Sequence, residues 1–183
     1  MSAVKGIVFN LLEEAVSNAY GEAAWDRLLD VAGLQGAYTS LGSYDDAEIA
    51  TLVRTASQAL EIPEDTVLRW FGRRAMPLLA RRYPAFFDSH ANVRSFLLSL
   101  NSIIHPEVRK LYPGAHPPVF DFDTSVAGVL KIGYNSPRRL CALADGFMHG
   151  AATHFGERIE FEQDECMHRG DARCVFHVRF DQQ

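Results

Sequence analysis

The first hundred residues carry apolar side chains at every third or fourth position, the spacing that gives an α-helix one buried face. Gly33 is expected to end the second helix, and the stretch 33–44, which contains Gly and Ser, is expected to form a loop. Pro77 is expected to kink or end the fourth helix, because proline has no N–H to donate within a helix. The pattern predicts five helices, over residues 4–20, 22–32, 44–60, 63–75 and 92–104.

Beyond Pro113 the pattern changes to alternating apolar and polar positions, which is typical of strands with one buried face. A helix is expected to begin at Pro137 and to continue to about residue 155. The alternating segments are 118–123, 126–134, 158–163 and 174–181, and the first two predict a hairpin. The predicted fold is therefore α+β, with one domain over residues 1–183. It has a helical N-terminal lobe, about 1–63, and a C-terminal lobe, about 64–183, with a four-stranded antiparallel sheet and a helix.

The composition is that of an ordinary globular domain, with 48% hydrophobic and 22% charged residues among 183 and a net charge of −5. The chain has no basic block, so nucleic acid and anionic membranes are disfavoured as partners. It has no run of 18 apolar residues, and its N-terminus lacks the features of a signal peptide, so we expect a cytoplasmic protein. Three cysteines, an odd number, argue against a disulfide framework and leave metal binding or buried thiols.

His105 stands at the end of a strongly apolar helical run and directly before Pro106. Because proline disfavours helical geometry in the preceding residue, His105 is expected where two helical segments meet. A neutral imidazole at such a point is a suitable ligand for heme iron. Alternatively, the imidazole interacts with the end of the helix or with a backbone carbonyl. The other histidines form no H-x-x-x-H pair, and no C-x-x-C-H motif occurs, so a zinc protease or a covalently attached heme is unsupported.

Tyr134, Ser136 and Arg138 alternate along the chain at a predicted junction between strand and helix. If the backbone is extended there, the three side chains point to one face. A guanidinium with two hydroxyl groups is well suited to bind a carboxylate. The alternative is a tyrosine in a sheet, a serine that caps the following helix, and an exposed arginine.

Taken together, His105, the pair Pro117–Pro118 and the motif Tyr134/Ser136/Arg138 resemble, in type and spacing, the heme-nitric oxide/oxygen binding (H-NOX) family. The resemblance covers nearly the whole chain, and it implies a heme b between the two lobes. By position, His105 would be the axial iron ligand, and Tyr134, Ser136 and Arg138 would bind the propionates. Pro118 would press on the macrocycle and keep it distorted. Pro106, directly after the ligand, departs from the expected pattern.

The resemblance also implies which residues line the distal side of the heme, opposite His105. Oxygen-binding members of the family have a tyrosine nine residues after the tyrosine of the motif, and this chain has Leu143 there. Bound dioxygen gains much from a distal hydrogen bond, whereas nitric oxide needs little. We therefore expect nitric oxide and carbon monoxide to bind and dioxygen to be excluded. The other residues expected in this apolar distal pocket are Val8, Phe9, Leu12, Ala75 and Met148.

The three cysteines, Cys141, Cys166 and Cys174, would form a zinc site if their thiolates converged and a fourth ligand were available. Some H-NOX proteins have such a site, with a histidine three residues before the second cysteine, where this chain has Gln163. His168 in the same loop is the best substitute, and His177 is less suitable because it lies on the opposite strand face from Cys174. Alternatively, the cysteines are reduced, buried thiols.

The resemblance implies a stand-alone bacterial nitric oxide sensor without catalysis of its own. Its signal would pass to a separate histidine kinase or to an enzyme of cyclic-di-GMP metabolism, a diguanylate cyclase or phosphodiesterase. Nitric oxide would weaken or break the bond between iron and His105, and the lobes would then rotate against each other. One alternative is a binder of an organic ligand with a structural zinc, because the cysteine pattern also resembles the four-vinyl-reductase domains. An enzyme is disfavoured, because the distal pocket has no acid or base.

Overall fold

The computed structural model describes residues 3–181 of the chain, and the predicted elements can be compared with its helices and strands. The α-helices are α1 (Gly6–Tyr20), α2 (Glu22–Ala32), α3 (Asp46–Leu60), α4 (Glu64–Arg82), α5 (Val93–Leu98), α6 (His105–Leu111) and α7 (Cys141–His154). The strands are β1 (Ala3–Lys5), β2 (Ser43–Asp45), β3 (Val119–Asp123), β4 (Val129–Asn135), β5 (Ile159–Glu165) and β6 (Cys174–Phe180). Shorter helical turns are the 3₁₀ turns Pro84–Phe86 and Met167–Arg169 and the π-helical turn Leu100–Ile104.

A four-stranded antiparallel sheet forms the C-terminal part, with strand order β3-β4-β6-β5. Strands β3 and β4 form the predicted hairpin, and β6 lies between β4 and β5. The α+β fold class predicted from the sequence is therefore confirmed. Among the residues that the structure describes, no helix is long and apolar enough to cross a membrane.

Two hydrophobic clusters form the core. One packs the sheet against α5 and α7, and its fully buried members include Val93, Leu130 and Phe176. The other packs α1, α2, α3 and α4 together around Phe9 and Leu52. Helices α4 and α7 contribute side chains to both clusters, so they join the N-terminal helices to the sheet.

The short strands β1 and β2 pair with each other and were not predicted. Three residues are too few to show an alternating pattern, so the sequence predicted one continuous helix from residue 4 and a loop up to residue 44. The pairing brings the first residues of the chain beside the start of α3. This placement matters for the candidate site, because Ala3 and Asp46 both lie there.

Helix α4 continues through Pro77 to Arg82, so the end expected near this proline is wrong. Its packing against α7 explains why the helix persists despite the missing N–H. A Cβ added at Gly72 would lie 2.7 Å from backbone atoms of α7, and one added at Gly146 would lie 2.9 Å from Arg69 Cα. The two helices therefore pack backbone to backbone, and this packing offsets the cost of the proline.

Helix α7 begins at Cys141 rather than at Pro137. Arg139 has a φ of 52°, in the left-handed region, and a helix cannot include such a residue. The Arg139 N–H instead donates to the Ser136 carbonyl and closes a turn. The expected start at Pro137 is therefore wrong by four residues, and Ser136 and Arg138 belong to a turn between β4 and α7.

The predicted helix over residues 92–104 is divided. Helix α5 ends at Leu98, the π-helical turn follows, and α6 begins at His105. Asn92 caps α5 by accepting the Ser95 N–H, as its position suggested. His105 therefore lies at a junction between two helical segments, as expected from Pro106.

Candidate functional site

A cavity of about 810 Å³ lies between the N-terminal helices and the sheet, a size typical of small-molecule and cofactor sites. Its wall is mostly apolar, with polar side chains concentrated on the segment between β4 and α7 and around His105. The apolar residues include Val8, Leu11, Ile49, Val53, Phe71, Leu143, Phe147 and Met148. Such a cavity suits a large, flat, apolar ligand with a few charged groups.

His105, the first residue of α6, faces this cavity. Burial lowers the pKa of its imidazole to about 4, the positive charge of Arg109 adds to this effect, and the Pro118 carbonyl opposes it. The ring is therefore neutral at physiological pH. Its Nδ1 atom is buried and has no hydrogen-bond partner among residues 3–181. A buried neutral imidazole with an unused ring nitrogen is suited to bind a metal ion.

Tyr134, Ser136 and Arg138 all line the same cavity. Tyr134 is near the end of β4, and its Oη accepts the Leu140 N–H at 3.1 Å, so its own hydroxyl hydrogen remains free to donate. Burial raises the pKa of this phenol, opposed by hydrogen bonds from Ser136 and the Leu140 N–H, and the phenol stays protonated. Ser136 Oγ accepts the Arg138 N–H at 3.3 Å.

The Arg138 guanidinium links the turn after β4 to the N-terminal part of the chain. Its Nε donates to Asp46 Oδ2 at 2.9 Å, Nη2 donates to the Ala3 carbonyl at 2.7 Å, and Nη1 donates to the His116 carbonyl at 3.1 Å. A guanidinium carries five N–H groups, so two remain for an anion in the cavity. The same side chain can therefore bind a carboxylate and contact α3 and β1.

Not every residue expected in the pocket lies on its wall. Phe9, Leu12 and Ala75 are almost completely buried in the second hydrophobic cluster, and Phe9 stacks on Tyr38 with 4.0 Å between ring centroids. At about 100° per residue, the three residues of α1 on the wall span an arc of about 100°, and Phe9 and Leu12 lie outside this arc. Ile7, Val8 and Leu11 line the wall from α1. Val8, Leu143 and Met148 lie on the wall, as expected.

Two tyrosines on the wall were missed by the sequence reasoning. Tyr83 follows α4 and Tyr112 follows α6, and their hydroxyl groups share a hydrogen bond. Burial and this bond raise the pKa of Tyr112, so the Tyr112 phenol is protonated. One hydroxyl hydrogen of the pair is not used by their mutual bond. The cavity wall is therefore less uniformly apolar than expected, and the seven-residue spacing of Tyr112 from His105 was the available signal.

Lys5 is a further polar residue on the wall that the sequence reasoning did not select. Its side chain is mostly buried, and its Nζ donates to Ser43 Oγ at 2.9 Å. An ammonium group has three N–H donors, so this contact leaves two for an anion. Lys5 thus adds a positive charge to the wall near Arg138, which is paired with Asp46. The charged residues Glu64, Asp65 and Arg139 also line the cavity.

The three cysteines converge, as predicted. The Sγ atoms of Cys141, Cys166 and Cys174 all lie within 4.8 Å of one another, and the distance from Cys141 to Cys166 is 3.9 Å. All three residues are buried. Burial and the neighbouring thiols raise the pKa of Cys141 to about 12. Burial raises the pKa of Cys166, but hydrogen bonds from the His168 backbone N–H and from the other two thiols lower it, and the net result is a pKa below the ordinary value.

The structure does not bring the proposed fourth ligand to the three thiols. His168 Nε2 lies 2.7 Å from the Arg139 carbonyl, and the ring is not part of the cysteine group. Gln163 donates to the Glu165 carbonyl, and His177 Nε2 lies 2.9 Å from Asp164. The prediction that His168 completes a zinc site therefore requires the ring to leave its present hydrogen bond.

The sequence and fold of the chain can be compared with those of known proteins. The family model for Haem-NO-binding domains matches residues 5–163, most of the chain. The chain belongs to this H-NOX family. Members of the family bind heme, and they are sensors rather than enzymes.

Solved H-NOX structures support the assignment over nearly the full length. A crystal structure of an H-NOX protein from S. oneidensis in the Fe(II)NO ligation state is 32% identical, with a TM-score of 0.92 and coverage of 98% of this chain and 100% of that one. The NMR structure of an H-NOX domain from Shewanella oneidensis in the Fe(II)CO state has the same identity and coverage and a TM-score of 0.89. The Fe(II) unliganded H-NOX protein from K. algicida is 25% identical, with a TM-score of 0.87 and 98% coverage of both chains.

Proposed function

We propose that this chain is a heme-based sensor of nitric oxide that binds carbon monoxide as well and forms no stable complex with dioxygen. The observation that carries the proposal is the convergence, on one cavity, of a buried neutral imidazole and three anion-binding side chains. An imidazole suits iron, and hydroxyl and guanidinium groups suit propionates.

The residues that would hold heme b fit the group in charge and hydrogen bonding. His105 brings a neutral imidazole to the cavity wall, and Arg138 has two N–H groups in reserve. Tyr134 has a free hydroxyl hydrogen and Ser136 lies beside it. When bound, ferrous heme would supply the iron that binds diatomic gases and whose bond to an imidazole weakens in response to nitric oxide.

Gas selectivity would come from the apolar residues around Leu143, which line the cavity from α7 together with Met148. Neither side chain donates a hydrogen bond, and stable binding of dioxygen depends on such a donor. Tyr83 and Tyr112 also line the cavity, and their mutual hydrogen bond leaves one hydroxyl hydrogen unused. The proposal requires that this hydrogen does not donate to the bound gas.

Signalling would begin at His105 and pass between two lobes, about 1–63 and 64–183. A weakened hold on His105 would free the start of α6, where the Pro118 carbonyl contacts the His105 ring. Arg138 bonds to Asp46 and Ala3 of the first lobe, so a shift of the turn after β4 would act directly on α3 and β1. This arrangement switches only if nitric oxide favours one lobe arrangement over the other.

The output would be a cytoplasmic histidine kinase, diguanylate cyclase or phosphodiesterase that binds one lobe arrangement more tightly. Reciprocal coupling provides a test of such a partner, because a partner that responds to nitric oxide must itself change the affinity of the sensor for nitric oxide. A partner whose addition leaves gas affinity unchanged would not be the signalling target.

We further propose that Cys141, Cys166 and Cys174 bind zinc. Tetrahedral zinc with bonds of about 2.3 Å places two sulfur ligands about 3.8 Å apart, which agrees with the 3.9 Å between Cys141 and Cys166. The fourth ligand would be His168 after rotation. Metal analysis of the purified wild type should give about one equivalent of zinc per chain, and Cys174→Ser should contain much less. Equal zinc contents in the two proteins would refute the site.

The sensor proposal is tested by titrating the reduced protein with nitric oxide and carbon monoxide while recording the visible spectrum. Wild type should show a heme band that shifts with either gas. His105→Leu removes the imidazole and should lose heme or lose the shift that reports iron–His105 release. His149→Leu is the control outside the cavity wall: it removes a half-buried histidine that contacts Asp145, and its heme spectrum should match that of wild type. If the wild-type protein is incubated with excess heme and binds none, so that it remains colourless, the proposal is refuted.

A further inference from the structure

Asn101 joins the segment that carries His105 to the edge of the sheet. Its Nδ2 donates to the Phe120 carbonyl at 2.6 Å, and its Oδ1 accepts the Phe120 N–H at 3.1 Å. One side-chain amide therefore satisfies both backbone groups of a single residue. These groups lie on β3, an edge strand, whose outward N–H and C=O groups have no neighbouring strand to pair with.

The two ends of this contact lie near His105, which would bind the iron, and near Pro118, which would press on the heme. Asn101 is in the π-helical turn, four residues before His105. Phe120 is two residues after Pro118, and its ring centroid is 5.9 Å from that of His105. Phe120 is also the cross-strand partner of Tyr134. The Asn101 contact thus fixes the distance from the His105 segment to the strand that begins after Pro118.

The π-helical turn and Pro106 explain why His105 depends on this contact for its orientation. The His105 N–H donates to the Leu100 carbonyl, five residues earlier, so one extra residue is accommodated before α6. One residue rotates the following helix by about 100°, and π-helical turns are frequent at functional sites. Pro106 is in the first turn of α6, where its missing N–H costs little. The regular helical ladder is therefore interrupted just before His105.

We propose that Asn101 is a positioning residue that limits how far His105 can move toward the cavity, and so sets how readily His105 is released from the iron under nitric oxide. This inference rests on the proposed function. With Asn101 in place, the start of α6 is held to β3 and cannot follow the iron. Without it, His105 can shift and remain bound.

Asn101→Leu tests the inference, because leucine has a similar size and makes neither hydrogen bond. Asn101→Asp is a milder variant that keeps the acceptor for the Phe120 N–H but loses the donor. Asn10→Leu is the matched control: the Asn10 amide also makes two contacts, to the Tyr38 carbonyl and to the Ser40 hydroxyl, in the N-terminal part. All three proteins are purified as the full chain.

The first readout is amide hydrogen exchange of the Phe120 N–H in the purified protein. Loss of one hydrogen bond should speed this exchange about tenfold in Asn101→Leu, and less in Asn101→Asp, while Asn10→Leu should match wild type. Unchanged exchange in Asn101→Leu would overturn the inference at its first step.

The second readout is the visible spectrum of the heme-loaded protein with saturating nitric oxide, which reports whether His105 remains bound to the iron. Wild type and Asn10→Leu should show release of His105, and Asn101→Leu should retain the His105 bond in a substantial fraction of molecules. A heme-loaded wild type with the same spectrum as Asn101→Leu would overturn this inference alone, because the amide would then only stabilise the edge strand. A wild type that takes up no heme would overturn the proposed function and this inference with it.

Discussion

The ion pair between Asp46 and Arg138 connects the first residue of α3 to the turn after β4, and its loss should weaken the contact between the two parts of the chain. In Asp46→Asn the shape is kept and the charge is removed. The distance between Arg138 Nε and Asp46 Oδ2 is 2.9 Å, and the side chains of Arg138 and Asp46 are 19% and 24% exposed, so solvent screens the pair only partly. Exposed pairs contribute about 0–1 kcal/mol, and hydrogen bonds to charged groups about 1.5–3 kcal/mol.

Arg138 keeps its bonds to the Ala3 and His116 carbonyls in the variant, so its charge is not left without partners. The loss should therefore stay below the 3–5 kcal/mol typical of breaking a fully buried pair. We expect Asp46→Asn to lower the free energy of unfolding by about 1–2 kcal/mol, which is a shift in the urea midpoint of about 0.5–1 M.

The assay is urea unfolding followed by circular dichroism, with Asp45→Asn as the control. Asp45 caps the same helix by accepting the Ala47 N–H, and asparagine is an equally good cap. Both substitutions remove one negative charge from the N-terminus of α3, so they share any effect on the helix dipole. The coupling is refuted if Asp46→Asn lowers the free energy of unfolding no more than Asp45→Asn does. It is also refuted if Asp46→Asn lowers that free energy by the same amount when Arg138 is already replaced by methionine.

Three further predictions concern helix packing, pH and Pro118. Gly146→Ala should lower the free energy of unfolding by about 1–3 kcal/mol, because the added Cβ would lie 2.9 Å from Arg69 Cα; thermal unfolding at an unchanged midpoint would contradict this. In heme-free protein the pKa of His105 is lowered to about 4, so the unfolded state binds more protons below its ordinary pKa of 6.5. Stability should fall as pH falls from about 6.5 to 4, and His105→Leu should reduce this slope in urea unfolding at pH 7 and 5. Pro118→Ala should give a flatter heme, measured by resonance Raman spectroscopy, and a partly nitric oxide-like partner response without gas; no change in either would count against the role of Pro118.

The sequence predicted the helices and sheet wherever an element was long enough to show its period. α1, α2, α3 and the four strands of the sheet follow from apolar spacing alone. β1 and β2 have three residues each and leave no period to detect. The continuation of α4 past Pro77 depends on Gly72 and its close packing against α7, which is a tertiary contact that local propensity cannot reveal.

His105 and Tyr134, Ser136 and Arg138 were selected from residue type and position, and Pro118 from the resemblance to the H-NOX family; all of them line one cavity. The remaining wall was harder to predict. Apolar residues cover a wide face of α1, so the sequence could not distinguish the side that faces the cavity from the side that faces the other helices.

Long-range polar contacts were the least predictable feature of the site. The bond from Arg138 to Asp46 spans 92 positions, and the pair of Tyr83 and Tyr112 spans 29. Neither pair has a sequence signature, because each side chain taken alone is an ordinary surface or core residue. The hydrogen bond that holds His168 away from the cysteines likewise depends on the left-handed turn at Arg139, which no spacing indicates.

We propose that His105, Tyr134, Ser136 and Arg138 hold a heme whose gas pocket admits nitric oxide and excludes dioxygen. The most direct test is the visible spectrum of the reduced, heme-loaded protein in air-saturated buffer, before and after one equivalent of nitric oxide. We expect the spectrum of a gas-free ferrous heme in air, and complete conversion to a spectrum without the iron–His105 bond after nitric oxide. A stable oxygen complex in air, or a nitric oxide spectrum that keeps the His105 bond throughout, would contradict it.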